Sequence, residues 1–218
     1  MRRLFMAGLV LLMGISGFAQ KTVYDANATK RSVGSFHGID ASAGIQVLIS
    51  QGTEEGVAVS VSDPEYADRI RTEVKSGVLH IYRDSDWRFW NQLKNFKATV
   101  YVSFKNLDKI EVSSGASVKG DIKGDNLTTH QSSGGMVYLK GSVAKLKSDA
   151  SSGGMLRAFD LTADFLTADV SSGGGIEVTV HKEVNADASS GGFVRYKGQA
   201  LIRDISTSSG GSVKRIKE

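Results

Sequence analysis

Ser151-Ser152-Gly153-Gly154-Met155-Leu156-Arg157 is the stretch that decides the fold, because its Ser-Ser-Gly opening stands at six places in the chain. The tripeptide starts at Ser113, Ser132, Ser151, Ser171, Ser189 and Ser208, in steps of 19, 19, 20, 18 and 19 residues. A period near 20 residues marks a repeat architecture, in which each unit buries its apolar side only by stacking on the next. Five positions after each first Ser stand Val118, Val137, Leu156, Ile176, Val194 and Val213, aliphatic every time. A second apolar site follows at Leu127, Leu146, Phe165 or Leu166, Val184, and Leu201 or Ile202. Before each Ser pair, polar residues alternate with small or β-branched ones, as in Ile110-Glu111-Val112 and Ala168-Asp169-Val170. Period-2 alternation in short runs broken by Gly means half-buried strands, and Gly-Gly pairs among Val, Ile and Thr disfavour helix.

The prediction is an all-β fold, a parallel β-helix or β-solenoid of about six 19-residue rungs over residues 109–218. Each rung holds two or three short strands, and like residues stack in ladders. At a strand spacing of about 4.8 Å, six rungs make a rod of roughly 30 Å. At the corner, Gly supplies positive φ and Ser hydrogen-bonds the local backbone.

Residues 20–108 carry no such tripeptide, yet they too are β-rich. Gly44–Ile49, Val57–Val61, Val78–Tyr82 and Ala98–Val102 have the composition and alternation of strands. Between them a short helix is expected near 63–72, with Asp63 as N-cap and Pro64, the only proline, at its first position. An open solenoid end exposes unpaired strand edges. Residues 20–108 are therefore expected to cap one end, and the charged run Lys214-Arg215-Ile216-Lys217-Glu218 to blunt the other.

The chain opens on Arg2 and Arg3, an apolar run from Leu4 to Ile15, and Gly17-Phe18-Ala19. This is the pattern of a secretory signal peptide, residues 1–19, cleaved after Ala19 so that the mature protein begins at Gln20. The run is too short to span a bilayer, and no later segment is apolar enough to try. The chain has no cysteine, which excludes disulfides and a lipid-modified Cys anchor. The leader holds two of the 27 Lys and Arg, so 25 remain against 23 Asp and Glu, a net charge of +2. A balance that close to neutral gives no reason to expect nucleic-acid binding.

Phe36–Gly52, Asp63-Pro64-Glu65-Tyr66 and Thr72–Ile81, followed by the Ser-Ser-Gly rungs, occur in an order similar to that of a known family. The chain resembles the auto-transporter adhesin, head GIN domain family of exported bacterial proteins common in Bacteroidetes. The likeness covers nearly all of residues 20–218 and departs at Gln46, where the family's Gly-Ile-Asn triplet has Asn. It implies one continuous domain, a right-handed parallel β-helix and a cell-envelope location (periplasmic, outer-membrane-associated or extracellular). It implies no established activity.

Several residue sets invite chemistry. A serine nucleophile is needed once, beside a base and an oxyanion site, so a Ser pair in every rung is a structural corner. His37, His80, His130 and His181 share no metal-ligand spacing. No catalytic, cofactor-binding or metal-ligating residue is assigned. Two positions before each Ser pair come Glu111, His130, Asp149, Asp169, Asp187 and Ser206, either a solvated acidic stripe or ligands for a cation such as Ca²⁺. Six positions after each first Ser come Lys119, Tyr138, Arg157, Glu177, Arg195 and Lys214. Of these, Lys119, Arg157, Arg195 and Lys214 form a mostly basic column that is either a solvated face or a face for an anionic polymer such as lipopolysaccharide or an acidic glycan. Trp87, Arg88, Phe89 and Trp90 with Phe96 are either a buried plug or, through Trp87 and Trp90, an aromatic platform.

The first functional expectation is an exported, non-enzymatic adhesin-like or structural binding module whose partner is a glycan or a cell-surface protein. The alternatives are a polysaccharide-active β-helix enzyme, which needs a non-repeating polar cluster, and a periplasmic envelope-stress or sensing component.

Overall fold

The computed structural model describes residues 25, 27–84 and 96–217. Four of the rungs are long strands running from one Ser-Ser-Gly corner to the next. These are β9 (Ser117–Gln131), β10 (Met136–Ala150), β11 (Met155–Val170) and β12 (Gly175–Ala188), each paired in parallel with the next. Within β11 the alternation changes phase twice, from Leu156 and Ala158 to Leu161 and Ala163, then to Leu166, Ala168 and Val170, all buried. Pairing with β12 shifts register at the same places. Each shift lets the strand bend without a loop. The last coils are shorter: β13 (Phe193–Lys197) and β14 (Leu201–Thr207) pair with the two ends of β12, and β15 (Ser212–Arg215) closes the stack on β13.

The inward column is as the spacing predicts, with Val118, Val137, Leu156, Ile176 and Val194 fully buried. Of the pair left open, Leu166 faces in, while Phe165 is 36% exposed. At the second apolar site of the final coil, Leu201 and Ile202 are 74% and 60% exposed.

Each corner is a type I′ turn. The second Ser has φ of 47–51°, the Gly after it 70–78°, and the fourth residue donates its N–H to the first Ser carbonyl at 2.7–3.0 Å. Sequence reasoning gave positive φ to the glycine alone, but the second serine adopts it as well. The Gly N–H then donates to the second-Ser carbonyl of the next rung at 3.0–3.2 Å, so the corners form a continuous main-chain ladder. The fourth position is Gly wherever a full rung lies beneath it. A Cβ on Gly154 would stand 2.3 Å from the Gln131 carbonyl oxygen.

The ladder extends into the N-terminal half. Strands β2 (Gly38–Ala41) and β3 (Gln46–Gln51) flank Ser42-Ala43-Gly44, whose Ala43 and Gly44 have φ of 60° and 71°. This is a seventh corner, and the Gly44 N–H donates to the Ser114 carbonyl. The coil does not stack in chain order. β2 lies between β6 (Val78–Arg83) and β8 (Lys109–Val112), and β3 lies between β7 (Ala98–Phe104) and β9, all parallel. Antiparallel strands cover this end: β4 (Gly56–Val61) on β7, β1 (Thr29–Arg31) on β4, and β5 (Ile70–Lys75) on β6.

The expected helix is a 3-10 helix, Pro64–Arg69, capped by Asp63 accepting from the Glu65 N–H at 3.1 Å. It ends before residue 72 because Ile70 already points into the core as the first residue of β5.

Candidate functional site

Strand register places Lys119, Tyr138, Arg157, Glu177, Arg195 and Lys214 in one column, with Leu48 of β3 beneath Lys119. Each follows a residue of the inward column, so period-2 alternation sends it outward. Two positions earlier on each rung runs a second outward column of Ser117, Met136, Met155, Gly175, Phe193 and Ser212. Met136, Met155 and Phe193 are half-buried there. The Phe193 ring and the Met155 sulfur close over Gly175, where a Cβ would lie 2.4 and 2.6 Å from them. The Tyr138 hydroxyl donates to the Met136 sulfur at 3.1 Å. The Arg195 guanidinium lies 4.4 Å from the Phe193 ring centroid and bonds Glu177 at 3.1 Å. Lys119, Arg157 and Lys214 are exposed and form no ion pair with another described residue.

The face thus joins an apolar centre of Met136, Tyr138, Met155 and Phe193 to a line of cations. Sequence reasoning found the cations and missed the apolar column, although Met136, Met155 and Phe193 share one offset from their serines.

The acidic column is longer than the repeats indicate. Register continues it from Asp187, Asp169, Asp149, His130 and Glu111 to Asp40, His80 and Glu73. His80 Nδ1 bonds Asp40 at 3.0 Å, and Lys109 pairs with Glu111 at 3.0 Å. Hydrogen bonds from Lys75 and Tyr82, both 2.7 Å, hold the Glu73 carboxyl below the usual range. The same bond raises the Tyr82 hydroxyl above its ordinary value. Among the described residues no group of three or more His, Asp or Glu is placed to hold a metal ion. The ladder separates neighbours by about one strand spacing and points them to solvent.

A non-repeating polar cluster lines a shallow depression of about 380 Å³, formed by Asp40, Ser42, His80, Tyr82, Arg83 and Asp84. Burial pushes the Arg83 guanidinium down, and it packs over the Phe96 ring at 5.3 Å. Within this depression the described hydrogen bond of His80 is the one to Asp40. Trp87 and Trp90 lie outside the described residues. Phe96, at the edge of that stretch, packs on the core and meets Tyr66 edge-on at 5.8 Å.

Residues 35–200 match the family model described as "Putative auto-transporter adhesin, head GIN domain". The chain belongs to this family. The same fold is seen in a crystal structure called a putative adhesin from Bacteroides fragilis. It is 20% identical, with a TM-score of 0.69, over 87% of this chain and 96% of that one. A structure called a putative lipid binding protein, from Parabacteroides distasonis, is 20% identical over 88% and 98% of the two chains, with a TM-score of 0.48. A putative adhesin from Parabacteroides merdae is 16% identical over 87% and 95%, with a TM-score of 0.49. No curated protein matches the sequence. Among the described residues of this head GIN domain, no helix is long and apolar enough to cross a membrane.

Proposed function

We propose that this chain is an exported, non-enzymatic binding module of adhesin type, and that its binding face is the paired cationic and apolar columns on the outer side of the rungs. The observation that carries this reading is the strand register itself. It sets Arg157 and Arg195 two rungs apart, about 10 Å on the strand spacing, beside Met155 and Phe193. Guanidinium groups recognise carboxylates and phosphates in a fixed fork, while adjacent apolar side chains receive the C–H faces of sugars. A rigid column repeats such weak contacts along one extended ligand, and repetition multiplies their effect. The ligand class this favours is an anionic glycan. The leader at residues 1–19 supports delivery across a membrane, with the mature chain starting at Gln20.

Changing Arg157 and Arg195 together to Ser is expected to bring retention on an immobilised anionic glycan to background, with an unchanged circular dichroism spectrum. Retention of the wild type should weaken as salt rises, because exposed charges are screened over about 8 Å at physiological ionic strength. Salt-insensitive retention lost in a Trp87→Ala, Trp90→Ala variant would move the site to the aromatic segment. A wild type that binds no glycan at any salt leaves a structural or protein-binding role.

A further inference from the structure

The two ends of the rod are finished differently. Antiparallel strands cover the N-terminal end, whereas among the described strands β14 pairs with β12 alone and β15 with β13 alone, so each keeps one open edge. Such an edge offers a row of main-chain donors and acceptors to another strand. Of the charges at this end, Lys214 and Arg215 fall on β15. β14 is left with Leu201 and Ile202 exposed.

Strand β14 is complementary to itself. Register sets Ile202, Ile205 and Thr207 above the buried Val184, Ala186 and Ala188, so these three point inward. Leu201, Asp204 and Ser206 stand above Glu183, Asn185 and Asp187 and point outward. Arg203 falls at a register shift, and its guanidinium turns outward to donate to Glu183 at 2.9 Å. Ala200 packs on the core. From 200 to 207 the faces therefore run in, out, in, out, out, in, out, in, an order that reads the same in both directions. A two-fold axis between Arg203 and Asp204 thus sets every residue opposite one on its own side of the sheet, as antiparallel pairing requires. Ile202 then meets Ile205 of a second copy, and Arg203 meets its Asp204, each contact made twice. Asp204 is exposed and has no ion pair with another described residue. Arg203 spends Nη1 on Glu183, which leaves further guanidinium donors for a second carboxylate. β15 has no carboxylate to set against Lys214 and Arg215 of another copy.

We infer that this edge is a self-association site, through which two copies join end to end by antiparallel pairing of their β14 strands. The contact is isologous and closes at two. It goes beyond the binding face proposed above and does not depend on it. Sedimentation of the mature chain from about 1 μM to about 1 mM should show a reversible monomer–dimer equilibrium, since one strand from each copy makes a small interface. Below the dissociation constant each rod ends on a bare edge. Asp204→Arg sets Arg against Arg at both contacts, and Arg203→Asp sets Asp against Asp. Each is expected to raise the dissociation constant at least tenfold. An equimolar mixture of the two variants restores Arg opposite Asp at both contacts and should recover the dimer. Both positions are exposed, and thermal unfolding confirms that each variant folds. A wild type that stays monomeric over this range overturns the inference. So do dimers that both variants form as readily, species larger than two, or variants that stay monomeric when mixed.

Discussion

Ile176→Asp is expected to unfold the rod, lowering stability by about 4 kcal/mol or more. Ile176 is fully buried and lies in register between Leu156 and Val194, also fully buried. Removing its side chain from the core forfeits about 2–3 kcal/mol of apolar burial. The incoming carboxylate has no partner in a column made only of aliphatic residues, which adds several kcal/mol or forces its protonation. The control is Arg157→Lys, exposed on the outward column and without an ion pair to another described residue, expected to change stability by less than about 0.5 kcal/mol. Thermal unfolding followed by circular dichroism reads both variants. For a domain near 200 residues each kcal/mol shifts the midpoint by about 2–4 °C, so the first should fall by about 10 °C and the second barely move. Equal midpoints for Ile176→Asp and wild type would mean that the column does not face inward.

Gly154→Ala is expected to cost about 3 kcal/mol or more, despite adding one methyl group. The obstacle is main chain: the new Cβ would sit 2.3 Å from the oxygen and 2.4 Å from the carbon of the Gln131 carbonyl. That carbonyl accepts the Ser151 N–H that ties the two rungs together, so relief of the clash parts the rungs at the corner. Overpacking in a core that cannot yield costs about 1–3 kcal/mol, and more when backbone must move. The neighbouring Gly153→Ala faces open space and only a strained φ of +74°, for which about 1 kcal/mol is expected. Chemical denaturation of the pair separates contact between rungs from local backbone preference. A Gly153→Ala loss equal to or larger than that of Gly154→Ala would contradict the close approach.

The rungs were legible because a corner, an inward aliphatic residue and an outward residue recur at fixed offsets, and a ladder turns an offset into a column. Val118 through Val194 and Lys119 through Lys214 needed only an alignment of the chain on itself. The seventh corner was not legible, since Ser42-Ala43-Gly44 lacks the second serine and β2 stacks beside strands some 40 and 70 residues later in the chain. For the same reason the acidic column seemed to start at Glu111, when Asp40, His80 and Glu73 continue it. The positive φ of the second serine was missed because serine has no strong preference for that region. The apolar half of the binding face was overlooked because methionine and phenylalanine in a strand suggest core, and only the register shows them outward.

The coil formed by residues 38–51 is held between strands that the chain has not yet produced when that coil is made. Growth of the rod therefore cannot follow the order of synthesis. Residues 38–51 find their first parallel partners only when residues 78–104 have emerged and are enclosed on both sides only after residue 120, and closing those loops is the slow, entropically opposed step of folding. Once it closes, every later coil finds a finished edge to grow on, about 19 residues at a time, and adds its own nearest-neighbour stability. The molecule has a nucleating end and a growing end, and the growing end is also where it frays. Amide hydrogen exchange should be slowest in β2, β3 and β8 and fastest in β14 and β15, whereas a reversed gradient would place the nucleus among the regular C-terminal coils. A rod built this way can gain or lose coils at its growing end without disturbing the part that folds first, so its length is free to vary while its nucleus is not.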